Sequence, residues 1–270
     1  PWASEGLLLN ETVPLLRPAR DLGEILTQRA RAAAVRNDWA GAIDFVGRAI
    51  RLGDVTARQP SLMHALSGAA IHMRALKVTR EMLDDHVVPA EFAKEIVALV
   101  GTIDDPSIAR RIEIGRLETR QALHWTHGSR GYALPLTTLF DSSVMSGMVF
   151  MSSIDPVNDE RSIGRAALAR LFLAPREECG ALADRWFSAL EKQAESPFAT
   201  RWDTWPEPGL MAEICRPRYA LLALFLPTLD GAIDSSDVVV VERRATRLMA
   251  VIEQYQERHG TPPGSLGDLV

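Results

Sequence analysis

The stretch Asp38-Trp39-Ala40-Gly41-Ala42-Ile43-Asp44-Phe45-Val46-Gly47-Arg48-Ala49-Ile50-Arg51-Leu52-Gly53 decides the fold class. Trp39, Ala42, Ile43, Val46, Ala49 and Ile50 recur at steps of three and four, which puts them on one stripe of an α-helix. A half-buried strand would alternate instead. Asp38 stands where an N-cap carboxylate accepts from the free amides of a first turn. Gly53 is expected to end the helix as a left-handed cap.

The same reading extends in both directions. Before Asn37–Asp38, Asp21 caps a helix whose Leu22, Ile25, Leu26, Arg29 and Ala33 form one expected buried stripe. Residues 1–20, with Pro1, Pro14 and Pro18, are expected to be an arm. Downstream, a third helix begins near Pro60 and runs to about Leu83, and a fourth starts at Pro89 with Phe92, Ile96 and Leu99 inside. A fifth follows Asp105–Pro106 and carries Ile108, Ile112 and Leu123. Short connections between these helices imply antiparallel neighbours.

A glycine-rich break lies between His124 and Pro135, followed by helical patterns over Leu136–Met151, Arg161–Leu173 and Pro175–Gln193. A second break, Ser196–Gly209, is rich in proline and tryptophan. Leu210–Leu226 reads as helical on either side of Pro217, and a long helix covers Ser236–Arg258. Its start, Val238–Val241, is β-branched and so a weaker helix former. The expectation is an all-α, antiparallel helical array of about nine helices. It divides into an arm (1–20), a helical-repeat-like region (21–127), a second helical region (128–235) and a terminal helix with its tail (236–270).

Composition agrees. Of the 270 residues 47% are hydrophobic and 24% charged, a globular balance that argues against wholesale disorder. The net charge of −5 lacks the basic footprint that nucleic-acid binding requires, so no nucleic-acid partner is expected. The clusters Arg29–Arg31, Arg110–Arg111 and Arg243–Arg244 read as solvated helix faces. No apolar run reaches the roughly 18 residues of a membrane span. Two cysteines, Cys179 and Cys215, cannot build a disulfide framework, and two separate buried thiols are expected.

Candidate chemistry is sparse. His124 and His127, three apart, fall on one side of a helix, but zinc needs at least one more ligand, and a helix end with dipole-compensating histidines explains the pair. His64 and His72 lack acidic or thiol partners at matching spacing. Gly128-Ser129-Arg130-Gly131 is neither a phosphate-binding loop nor a dinucleotide fingerprint, and no G-x-S-x-G elbow occurs, so no catalytic residue and no cofactor is assigned. Phe198, Trp202 and Trp205 sit on a proline-stiffened segment and are candidate interface anchors. The bland alternative is that this aromatic group, with Trp186 and Phe187, roofs the core.

Two resemblances add to this. Asp38-Trp39-Ala40-Gly41-Ala42-Ile43, continuing to Val46, Ala49 and Leu52, resembles the second helix of a tetratricopeptide repeat, with Ala30 and Ala33 as the small residues of the first. The pattern does not recur about 34 residues on. The final helix, with Leu248, Ile252 and Tyr255, runs into His259-Gly260-Thr261-Pro262-Pro263-Gly264-Ser265-Leu266-Gly267-Asp268-Leu269. This resembles the G-x-x-P-x-S-L-x-x-L tail of pseudopilin-like envelope proteins. It is also similar to a group of uncharacterised, largely planctomycete proteins anchored in the membrane at the N-terminus. Members share the D-W-x-x-A-hydrophobic motif, here Asp38, Trp39, Ala42 and Ile43, followed by P-x-L, here Pro60 and Leu62.

The resemblance implies an extracytoplasmic, envelope location and no known activity. Membrane association would come through an N-terminal anchor missing here. The leading expectation is a non-enzymatic interaction or scaffold protein, an accessory subunit with other protein subunits as partners. One alternative is a metal-dependent enzyme or metal-binding protein around His124 and His127. Another is a membrane-surface accessory subunit of a pigment- or lipid-associated complex, using the apolar stretch Tyr219–Leu226.

Overall fold

The computed structural model describes residues 8–85, 88–104, 107–127, 173–196, 200, 208–219, 222–223 and 226–269. The fold is all-α, and among the described residues there is no strand. Eight α-helices are described: α1 Leu8–Val35, α2 Trp39–Ala57, α3 Leu62–Asp85, α4 Ala90–Gly101, α5 Ile108–His127, α6 Arg176–Ala194, α7 Pro208–Ile214 and α8 Pro227–His259. Short 3-10 turns cover Pro217–Tyr219 and Leu266–Leu269. The helical patterns over Leu136–Met151 and Arg161–Leu173 lie outside the described residues, apart from Leu173 itself.

The chain divides into two compact units. One gathers Leu15–Ser107 with Asp234–Val270, the other Pro1–Pro14 with Ile108–Ile233. Helix α5, grouped by sequence with the early helices, belongs to the second of these.

In the first unit, the break at Asn37–Asp38 is made by backbone and side chain together. Asn37 takes a positive φ of 58°, which asparagine tolerates better than most residues. Asp38 caps α2, its Oδ1 accepting from Gly41 N at 2.9 Å. Replacing Asp38 with alanine should lower stability by about 1 kcal/mol, read from a thermal or urea melt. A change below about 0.3 kcal/mol would deny the cap.

Three expectations are corrected here. The arm over residues 1–20 is helical from Leu8. Pro14 and Pro18 lie one turn apart, so both missing donors fall on one side of α1, and Pro18 is exposed, where water can bond the freed carbonyl. Leu22, Ile25 and Arg29 of α1 face solvent, while Gly23, Ala30, Ala33 and Ala34 face inward. Gly53 does not end α2, which continues to Ala57; it lies buried in the helix, where a Cβ would strike the His72 ring.

The inward choice on α1 follows from close approach. A Cβ at Gly23 would come within 3.2 Å of Ile71 on α3. Further along, Arg74 Nη1 reaches Glu24 at 2.8 Å and Arg31 Nε reaches Glu81 at 3.0 Å. Both pairs share one offset, so α1 and α3 run parallel. Helices α2 and α4 do likewise: Trp39 packs on Phe92 with ring centroids 4.9 Å apart, and Gly47 lies beside Leu99. Up-down-up-down packing follows. The core between these helices contains Val46, Ile50, Leu76, Leu83, Phe92 and Ile96, and Ala250 of α8 closes it.

In the second unit α5 and α6 are antiparallel. Arg116 Nη2 meets Glu191 at 3.0 Å, Arg120 Nη2 meets Asp184 at 3.1 Å, and the His127 ring meets the Ala174 carbonyl, so numbers rise on one helix as they fall on the other. Trp186 and Phe187, both fully buried, lie on α6 with the buried Leu182 and Leu190, and Ile112 and Leu123 of α5 are buried as well. Helix α7 is tied to α6 by Arg185 and Glu213 at 2.8 Å.

Candidate functional site

The two histidines three apart meet different fates. His124 is exposed. His127 is 1% exposed, its Nδ1 lying 3.0 Å from the Leu123 carbonyl and its Nε2 3.2 Å from the Ala174 carbonyl. Both ring nitrogens point at backbone oxygens, so neither presents a lone pair to an open coordination position. His127 thereby joins the end of α5 to the chain entering α6. Among the described residues no group of three His, Cys, Asp or Glu side chains is placed to hold a metal.

Phe198, Trp202 and Trp205, the candidate interface anchors, lie outside the described residues, as does the Gly128–Gly131 turn. Trp186 and Phe187 of the same aromatic group are core residues, and Arg116 lies over the Phe187 ring at 5.5 Å from its centroid. In the stretch Tyr219–Leu226, Leu222 and Leu226 are fully buried, Tyr219 is 8% exposed and Ala223 is half-buried. These leucines are spent on the unit's own interior. No described helix is long and apolar enough to cross a membrane.

The histidines of α3 are both buried. His72 Nε2 lies 3.1 Å from the Ile50 carbonyl and 3.1 Å from Asp54 Oδ1, a bridge from α3 to α2 that sequence spacing could not reveal. His64 has no hydrogen-bond partner at Nδ1, and burial pushes its pKa below the ordinary histidine value, keeping the ring neutral.

The thiols are both free, but only one is buried. Cys179 lies on the buried side of α6, and desolvation, reinforced by Glu178 and opposed by Arg218, pushes its pKa up to about 11. Cys215 is exposed, which corrects the expectation of two buried thiols. At pH 8 a disulfide reagent should therefore modify Cys215 rapidly and leave Cys179 intact until the protein unfolds. Rapid labelling of two thiols in the folded protein would contradict this packing.

Acidic pairs at helix ends are structural. Asp104 pairs with Arg58 at 3.6 Å, and Glu178 accepts from Arg218 and lies 3.5 Å from the Tyr219 hydroxyl. The feature that sequence reading passed over is where the aliphatic side chains of α1 and α8 point. Leu22, Ile25 and Val35 are 47, 51 and 72% exposed, and Val238, Val241 and Leu248 are 37, 47 and 39% exposed. Two helices of one unit thus turn large apolar residues outward. The signal was present in α8 as a run of valines, although its direction was not.

No family model matches the chain, and neither a curated protein nor a solved structure matches it.

Proposed function

We propose that this chain is a non-enzymatic interaction or scaffold protein, an accessory subunit of a larger cell-envelope assembly. The observation that carries the reading is the pair of outward apolar faces on α1 and α8. Isolated exposed leucines are ordinary, but aliphatic residues at helical spacing make a strip, and such strips mark surfaces that another protein covers. Leu22 and Ile25 stand one turn apart, and Val238, Val241 and Leu248 continue one line.

The envelope part rests on the tail resemblance. After α8, Gly260 turns the chain at a φ of 72°, and Ser265 N donates to Asp268 Oδ2 at 2.8 Å in a compact end that leaves Leu266 67% exposed.

The test is the native mass of the protein extracted gently from its own cells, with co-eluting chains identified and their stoichiometry measured. Elution in a complex of fixed stoichiometry supports the reading. Elution at the mass of one chain, under conditions that preserve known assemblies, overturns it.

A further inference from the structure

Helix α8 departs from the usual surface helix, whose apolar stripe faces the core, by carrying apolar residues on both its inward and its outward side. Its inward side carries Asp237, Arg243 and Thr246. Asp237 is 6% exposed and Thr246 fully buried. Thr246 Oγ1 accepts from Arg80 Nη1 at 3.1 Å, Glu242 pairs with the same arginine, and Arg243 donates to the Ile103 carbonyl. The outward side carries Val238, Val241 and Leu248. Polar groups thus bind the helix to its own unit alongside the buried Val239 and Ala250, while Val238, Val241 and Leu248 are left to something else.

The exposed Val238, Val241 and Leu248, together with the half-buried Ala245 and Ile252, have a definite period. Val238, Val241, Ala245, Leu248 and Ile252 step by three and four in strict alternation. That is the seam of a heptad, and it stays in line only when a second helix lies along it. At 1.5 Å per residue the seam is roughly 21 Å long, about four turns.

Charge decides the occupant. Between 238 and 252 the exposed charged residues are Arg244, on the flank of the seam, and Arg247, one turn further on. A second copy, paired antiparallel about the middle of the seam, would bring Arg244 close to its own counterpart, and like charges facing each other oppose association. The chain's own apolar stretch Leu136–Met151 has one acidic residue, Asp141, and cannot supply matching edges. A helix with an apolar seam and acidic edges satisfies both the period and the charge.

We infer that the outer face of α8, from Val238 to Ile252, is the docking strip for an amphipathic helix of a partner protein that carries glutamate or aspartate along its edges. This names the kind of partner and rests on reading the protein as an interaction subunit.

The probe is a fluorescent synthetic peptide of about four heptads, with isoleucine and leucine in the seam and glutamate at the edges. A second peptide replaces the glutamates with lysine. The full chain should bind the acidic peptide saturably in an anisotropy titration, and the basic one at least about tenfold more weakly. Val241→Asp with Leu248→Asp should weaken binding of the acidic peptide about tenfold or more, with unchanged helical circular dichroism. Arg244→Glu with Arg247→Glu should invert the preference between the two peptides.

Equal binding of both peptides overturns the inference, as does undiminished binding by the Val241→Asp, Leu248→Asp chain. So does a sedimenting dimer that this double substitution dissolves, because the occupant is then a second copy. Failure here leaves a stoichiometric native complex standing as evidence for a scaffold. A chain that is monomeric in its own cells but binds the acidic peptide selectively would instead remove the scaffold reading alone.

Discussion

Trp186→Ala should destabilise the second unit by about 3–5 kcal/mol, the range for removing a fully buried tryptophan. Trp186 and its neighbour Phe187 are fully buried in α6, which packs antiparallel to α5. Phe187 is fixed from above by Arg116, which is itself held by Glu191, so closing the cavity would break an ion pair and a cation–π contact. Domains are stable by roughly 5–15 kcal/mol, so this single change approaches the whole margin of a small unit. The measurement is a urea melt followed by circular dichroism, with the midpoint falling and the slope kept. Leu117→Ala provides the contrast: it sits on α5 but is 54% exposed, and its effect should stay within about 0.5 kcal/mol. If the two substitutions cost the same, Trp186 is not the centre of the core, and the aromatic cluster regains its claim as an interface.

What the sequence disclosed, and what it hid, follows from the range of the forces involved. The start of α2 was legible because an Asp cap acts over three residues, from Asp38 to Gly41. The starts of α4 and α6 behind Pro89 and Pro175 were legible for the same local reason. Periodicity also found the stripes on α1 and α8. It could not say which side of a helix faces inward, because that depends on the neighbour. Helix α1 turns Gly23 toward Ile71 and buries Ala30, Ala33 and Ala34, since a tight contact favours small side chains over the larger Leu22 and Ile25. Helix α8 is held by Arg80 and Ile103, far away in sequence, so Val238 and Val241 are released to solvent while Val239 is buried. The same limit applies to His127. Its spacing from His124 was visible, but the Ala174 carbonyl that occupies Nε2 is 47 residues distant.

Gly68→Ala should destabilise the first unit by about 2 kcal/mol, within the range for overpacking a closely packed contact. Helix propensity taken alone gives the opposite sign, since alanine is better than glycine inside a helix by about 1 kcal/mol. Geometry decides between them. A Cβ on Gly68 would lie 2.6 Å from both the Ala57 Cβ and the Gly53 carbonyl oxygen, and 2.7 Å from the Ala57 nitrogen. Two of those three atoms are backbone, so relief requires α2 to move away from α3. That movement would also stretch the bridge from His72 to the Ile50 carbonyl and Asp54. Gly180→Ala isolates the propensity term, because nothing stands within 4 Å of the added methyl group on α6; it should stabilise by up to about 1 kcal/mol. Opposite signs for the two glycines, measured by the same melt, would establish that α2 and α3 meet at the distance only a glycine permits. A stabilising Gly68→Ala would mean that the helices stand further apart. The array would then have to rest on its aliphatic core alone.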